Sequence, residues 1–163
     1  VAASDQKVND MEIEIEEDDL EFKAYASAIN ATDAKNGTLT LSFGGASGTV
    51  QVIVNGGTLY MDDNAVTPFD LTTLPLGTKV EIHARRNDAG NIVASTLEIE
   101  DGMGVEIEGP VSGADETSIS ILGVVFAIGA NTIVEGGVPM DGDYAEIEDE
   151  NEDGTADVVE IDD

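Results

Sequence analysis

Apolar and polar residues alternate one by one along most of this chain, and a period of two admits strands and little else. The stretches "TLTLSF" (38–43), "TVQVIV" (49–54), "KVEIHA" (79–84), "VEIEG" (105–109), "SISILGVVFAI" (118–128) and "AEIE" (145–148) each read as a half-buried strand. Turn formers punctuate them, in "AKNG", "NGG", "NDAGN" and "EDG". Only "PFDLTTLP" (68–75) suggests a short helical turn, and Pro75 limits its length.

The strand grammar also repeats. "LEFKAYASAINATDAKNGTLTL" (20–41) aligns with "VEIEGPVSGADETSISIL" (105–122), and "TVQVIVNGGTLYMDD" with "GVVFAIGANTIVEGG". "LPLGTKVEIHARRNDAGNIVASTLEIED" (74–101) aligns with "VPMDGDYAEIEDENEDGTADVVEIDD" (138–163). Each unit carries about six short strands, and a unit of this size protects its edges best by curling into a small barrel. The expected organisation is an all-β chain. An N-terminal extension over residues 1–18 precedes two tandem OB-like β-barrels, over 19–102 and 103–163, stacked tightly through the short "EDGMG" (100–104).

Two stretches carry a family resemblance. They are Gly77-Thr78-Lys79-Val80-Glu81-Ile82 with the hairpin "NDAGNIVASTLEIE" (87–100), and Gly142-Asp143-Tyr144-Ala145-Glu146-Ile147 with "NEDGTADVVEI". The pattern resembles a family of secreted and lipid-anchored bacterial domains of unknown function that occur in tandem and look like OB-type barrels. The resemblance implies an exported location and no reaction. The start at Val1, without Met, suits a mature end left by signal-peptide removal.

Charge narrows the partners. The chain has 163 residues, with 35 acids against 6 bases and a net charge of −29. Nucleic acid and anionic membrane would repel it, and the few aromatics leave an OB-like face without a stacking platform. No apolar run approaches the roughly 20 residues of a membrane helix. Cysteine is absent, so disulfides and thiolate metal sites are excluded. High-salt adaptation would also account for the acidity.

No stretch reads as catalytic. His83, the only histidine, reads as a solvated strand residue beside Arg85 and Arg86, without nameable partners for a zinc site or a triad. "FGGASGTV" lacks the helix and the Lys-[Ser/Thr] step of a phosphate loop. The expectation is therefore a protein that is not an enzyme.

"DENEDGTADVVE" (149–160) does match a Ca²⁺ loop by spacing, through Asp149, Asn151, Asp153, the Thr155 carbonyl, Asp157 and Glu160, with Gly154 at the turn. Its flanks read as strands rather than helices, which carries Glu160 away from the others. Asp-Gly is equally a preferred hairpin turn, so a calcium site and a plain acidic turn both remain open. Asp62-Asp63-Asn64 is a weaker oxygen cluster.

The repeat leaves the N-terminal "VNDMEIEIE" (8–16) over. Met11, Ile13 and Ile15 fall on one face of it and Glu12, Glu14 and Glu16 on the other. Such a strand can fold back on its own barrel or complete the sheet of the next molecule. The second mode does not close and builds a fibre. The leading expectation is an extracellular structural protein, a head-to-tail homopolymer assembled by strand donation and stabilised by calcium. The alternative is a monomeric secreted calcium- or ligand-binding β-domain.

Overall fold

The computed structural model describes residues 19–62 and 69–162, and within them the ordered elements are strands, with no helix. The first repeat supplies β1 (Asp19–Ala31), β2 (Gly37–Ser42), β3 (Thr49–Val54), β4 (Leu59–Met61), β5 (Lys79–Arg86) and β6 (Ile92–Ile99). β1 pairs with β2 and β2 with β3, all antiparallel; β3 meets β6 in parallel at Ile53 and Val93; β6 returns through β5 to β1. The ring closes with five strands, and β4 extends the β3 side by running parallel to β6 from Leu59 to Met61. "PFDLTTLP" ends in a turn rather than a helix. Asp70 caps it by accepting from the backbone N–H groups of Thr72 and Thr73.

The second repeat builds the same ring from β7 (Val105–Ala114), β8 (Ser118–Ile121), β9 (Val124–Glu135), β10 (Tyr144–Asp149) and β11 (Thr155–Asp162). β7–β8, β8–β9, β10–β11 and β10–β7 are antiparallel, and β9–β11 is parallel. Two expectations are corrected here. "SISILGVVFAI" is a hairpin rather than one strand, because Leu122 and Gly123 both adopt positive φ, 54° and 81°. That is the two-residue turn that suits a twisted hairpin, and a leucine in it gives no sequence signal. The second unit also has five strands, not six, because β9 runs through the places that β3 and β4 occupy in the first.

The barrels share a sheet. β1 and β7, the first strands of the two repeats, pair antiparallel with Phe22 opposite Ile107, so equivalent residues face each other in a locally two-fold arrangement. Their inward faces join one continuous core, in which Phe22, Phe43 and Phe126 stack edge to face at 6.3 and 6.5 Å. The loop after β2 seats the second repeat. A Cβ on Gly45 would come within 2.7 Å of the Asp153 carbonyl carbon, and one on Gly48 within 2.4 Å of the Gly123 oxygen. "FGGASG" therefore serves as a close-approach seat between backbones.

Candidate functional site: a carboxylate row across the shared sheet

Because the paired stretches of β1, β5, β7 and β10 alternate, and β11 resumes the pattern after an irregularity between Ala156 and Val158, one face of the shared sheet is core and the other carries glutamates. Strand register then places them side by side. His83 lies opposite Glu21, Glu21 opposite Glu108, Glu108 opposite Glu146, Glu146 opposite Glu160, and Glu160 beside Glu135. A second row runs through Glu98, Glu81, Lys23, Glu106 and Glu148. Like charges directly opposite one another destabilise a sheet, by up to roughly 1 kcal/mol per pair.

The local chemistry registers this crowding. Burial, a hydrogen bond shared with Glu106 and the charges of Glu106, Glu108 and Glu148 push the Glu146 carboxyl up to about 8. Glu108 and Glu148 are raised by burial first and by neighbouring carboxylates second. Glu81 is raised by burial and by Glu21. The compensating cations sit toward the first repeat: Lys23 lies 3.4 Å from Glu100, and Arg85 lies 2.9 Å from Asp19.

One end of the row opens into a groove of about 570 Å³, lined by Glu21, His83, Arg85, Glu108 and Tyr144 among others. The Tyr144 hydroxyl donates to the Asp19 carbonyl there. His83 stands half exposed between two carboxylates, with Nδ1 3.9 Å from Glu21 and Nε2 3.9 Å from Glu81. Glu21, Glu81 and His83 offer ligand atoms all within 4.8 Å of one another, the arrangement among the described residues that could hold a metal ion. Two carboxylates and an imidazole suit a divalent first-row metal, while the carboxylates beyond them suit harder cations. The partners that the sequence could not name for His83 are thus Glu21, across the strand pair, and Glu81, two residues back. A legible clue is the repeated [Val/Ala]-Glu-Ile step, which puts glutamate on the outer face of β5, β7 and β10.

The acidic hairpin has a different structure from the spacing template. Asp149 is fully buried, and its two oxygens accept from the N–H groups of Asp153 (3.3 Å) and Gly154 (2.8 Å). Burial pushes its carboxyl up, against the Gly154 N–H. Asp153 accepts from the Thr155 N–H, and Asp157 from the Glu150 N–H. Asn151 is exposed at the turn, Thr155 begins β11, and Glu160 belongs to the carboxylate row.

The side chain that does most in this hairpin is Glu152, which the spacing argument passed over. Held at φ 59°, it reaches the first repeat. It accepts from the Tyr25 hydroxyl at 2.7 and 2.9 Å, from Lys79 at 3.1 Å and from the Gly104 N–H at 3.2 Å. Desolvation raises the Glu152 pKa, but these three donors outweigh it and hold the carboxyl below the usual glutamate value.

The sequence matches the family model described as Domain of unknown function (DUF5666) twice, over residues 27–98 and 108–161. The chain belongs to the DUF5666 family. The two matched segments fall in the two barrels, so the tandem repeat is a pair of DUF5666 domains. No curated protein and no solved structure matches the chain. The carboxylate row crosses between the DUF5666 domains, whereas β1 from Asp19 to Ala26, which carries Glu21, precedes the first matched segment. Met11, Ile13, Ile15, Asp63 and Asn64 lie outside the described residues.

Proposed function

We propose that this chain is a non-catalytic structural module of an exported protein. In this reading it takes up divalent cations along the carboxylate row and joins copies of itself through its N-terminal segment. The observation that carries the reading is the register itself: Glu21, Glu108, Glu146 and Glu160 stand side by side on an outer face, with Glu81 and His83 at one end. A solvated acidic surface can spread its charges; this one stacks them, and burial with neighbouring carboxylates raises Glu108 and Glu146 within it. Divalent cations relieve that cost directly. The cation is assigned to the row rather than to the hairpin because Asp149, Asp153 and Asp157 already accept backbone N–H groups. We further propose that both barrels are of the OB type, on the ground that each closes its third strand in parallel on its fifth. The acidity and the scarcity of aromatics argue against oligonucleotides as their ligand.

Thermal unfolding at fixed ionic strength, with CaCl₂ or MnCl₂ replacing NaCl, tests the cation. At ten times Kd, a ligand of the folded state adds about 1.4 kcal/mol, or about 3–5 °C in Tm. Glu21→Gln combined with Glu146→Gln should lose that gain, and Asp149→Ala combined with Asp153→Ala should keep it. A gain lost only in the aspartate pair would return the cation to the hairpin. No gain in the wild type would end the cation reading.

A further inference from the structure

The two repeats differ at one sheet edge. In the first repeat β4 has β6 on one side, and its central residue, Tyr60, is covered by its own chain. Tyr60 packs edge to face on Phe69 at 5.6 Å, lies under Lys35 at 4.2 Å and donates its hydroxyl to the Lys35 carbonyl. Leu71 donates its N–H to Ala34, and its side chain is buried, as is that of Leu74. The cover comes from Phe69 in the long connection between β4 and β5 and from Lys35 in the loop between β1 and β2.

The equivalent strand of the second repeat is the end of β9, where Ile133, Val134 and Glu135 run parallel to β11. β8 pairs with β9 only as far as Ala127, so the outer side of 133–135 has no strand partner among the described residues. The connection to β10 is short, "GGVPMDGD", and has no aromatic residue. The result is an apolar edge: Ile133 is 56 % exposed, Val134 40 %, Val138 80 % and Met140 62 %. Unpaired backbone groups beside exposed apolar side chains make a template for another strand.

We infer that this β9 edge is the acceptor for residues 8–16 of a second copy of the chain, with Met11, Ile13 and Ile15 seated on the patch. The inference rests on the self-association proposed above and names the surface it uses. The occupant follows from what the edge lacks, which is a strand with apolar residues on one face; "VNDMEIEIE" supplies that at 11, 13 and 15. Reach favours a second copy. β1 begins at Asp19, and over the sheet surface the edge lies four strand steps away, through β7, β10 and β11 to β9. At about 4.8 Å per step that is roughly 19 Å, whereas the four residues from Asp19 back to Ile15 span about 13 Å. One molecule is therefore too short to seat all three side chains on its own edge by that path. Glu12, Glu14 and Glu16 would face Glu135 and Asp141 across the contact, so assembly should strengthen as salt or divalent cation screens them.

The absence of cysteine makes the test clean. Full-length protein carrying Ile13→Cys is mixed with a mass-tagged full-length protein carrying Val134→Cys, under mild oxidation. The expected result is a mixed dimer in at least tenfold excess over that given by Ile13→Cys with Thr38→Cys, a control on the other barrel. A chain carrying both Ile13→Cys and Val134→Cys should give a ladder of oligomers on a non-reducing gel. If it gives instead an internally cross-linked monomer, the segment docks on its own chain and the inference is overturned. Negative-stain microscopy of the wild type separates the two failures. Fibres without the mixed dimer overturn this acceptor and leave self-association standing; neither fibres nor mixed dimer overturns both. Val134→Asp should abolish assembly with an unchanged melting curve, and persistence of fibres in that variant also counts against the edge.

Discussion

Replacing Glu152 with Ala should lower the stability of the whole chain by about 3 kcal/mol, an effect out of proportion to a residue in a surface hairpin. The side chain is three-quarters buried, and its partner Lys79 is nine-tenths buried. Truncation leaves the Lys79 ammonium with the Gly102 and Gly104 carbonyls and the Tyr25 ring, and leaves the Tyr25 hydroxyl without its acceptor. The cost is then mostly that of a stranded charge rather than of a lost contact. Urea unfolding measures it, and a double-mutant cycle with Lys79→Met isolates the pair. Glu152→Gly should be milder than Glu152→Ala by up to about 1 kcal/mol, because glycine relieves the positive φ that alanine keeps. Amide exchange gives an independent readout: the Gly104 N–H donates to this carboxylate and should lose protection, while the amides of β2 and β3 should not. A loss below about 0.5 kcal/mol, or identical behaviour of Ala and Gly, would mean that the domains are joined by the β1–β7 pairing, the phenylalanine stack and the seat after β2, without this side chain.

The latch explains why the last hairpins of the two repeats diverge. "RRNDAGN" and "DENEDGT" occupy equivalent turns, and both cap themselves with a side chain: Asn87 accepts from Ala89 and Asn91, and Asp149 from Asp153 and Gly154. The second adds a glutamate that points back to Tyr25 and Lys79. A template match of acids and glycine in such a turn does not distinguish a metal loop from a self-capped turn, because both ask for carboxylates facing inward and a residue at positive φ.

Much of the architecture is legible in the alternation. "TVQVIV" is β3 from end to end, and "TLTLSF", "KVEIHA" and "AEIE" fall within a residue or two of β2, β5 and β10. The alignment of the two repeats is enough to expect matching rings. What alternation leaves out is register. Each strand shows that glutamate faces outward; only the pairing of Phe22 with Ile107 and of Ile147 with Ile107 brings Glu21, Glu108 and Glu146 into one row. The hairpin break at Leu122 was hidden for a related reason, since the backbone there is set by the two strands it joins and not by the preference of leucine.

Register also sets the pH response. The Glu146 carboxyl, pushed up first by burial and then by Glu106 and Glu108 on β7 and Glu148 on its own strand, is held up to about 8 against an ordinary 4.5. Between those values the folded state keeps a proton that the unfolded chain releases. Stability from this group is therefore fully present below about pH 4.5 and is lost as pH rises through about 8. Glu152 acts oppositely: its lowered pKa contributes stability above the ordinary glutamate value that disappears as pH falls. Together they place the maximum near the foot of the Glu146 window, more acid than a hairpin latch alone would set it. The full Glu146 shift would amount to about 5 kcal/mol; with the residue only partly buried, solvent screening reduces the expected loss from pH 5 to pH 8.5 to about 2 kcal/mol. Urea unfolding across that range at constant ionic strength measures the slope, and Glu146→Gln should flatten it by about half. If the row takes up divalent cations as proposed, a cation replaces the proton, so calcium or manganese should restore stability at pH 8.5 and do little at pH 5. Stability that climbs steadily from pH 5 to pH 8.5, or a slope unchanged in Glu146→Gln, would show that the row is solvated well enough for its charges to be independent.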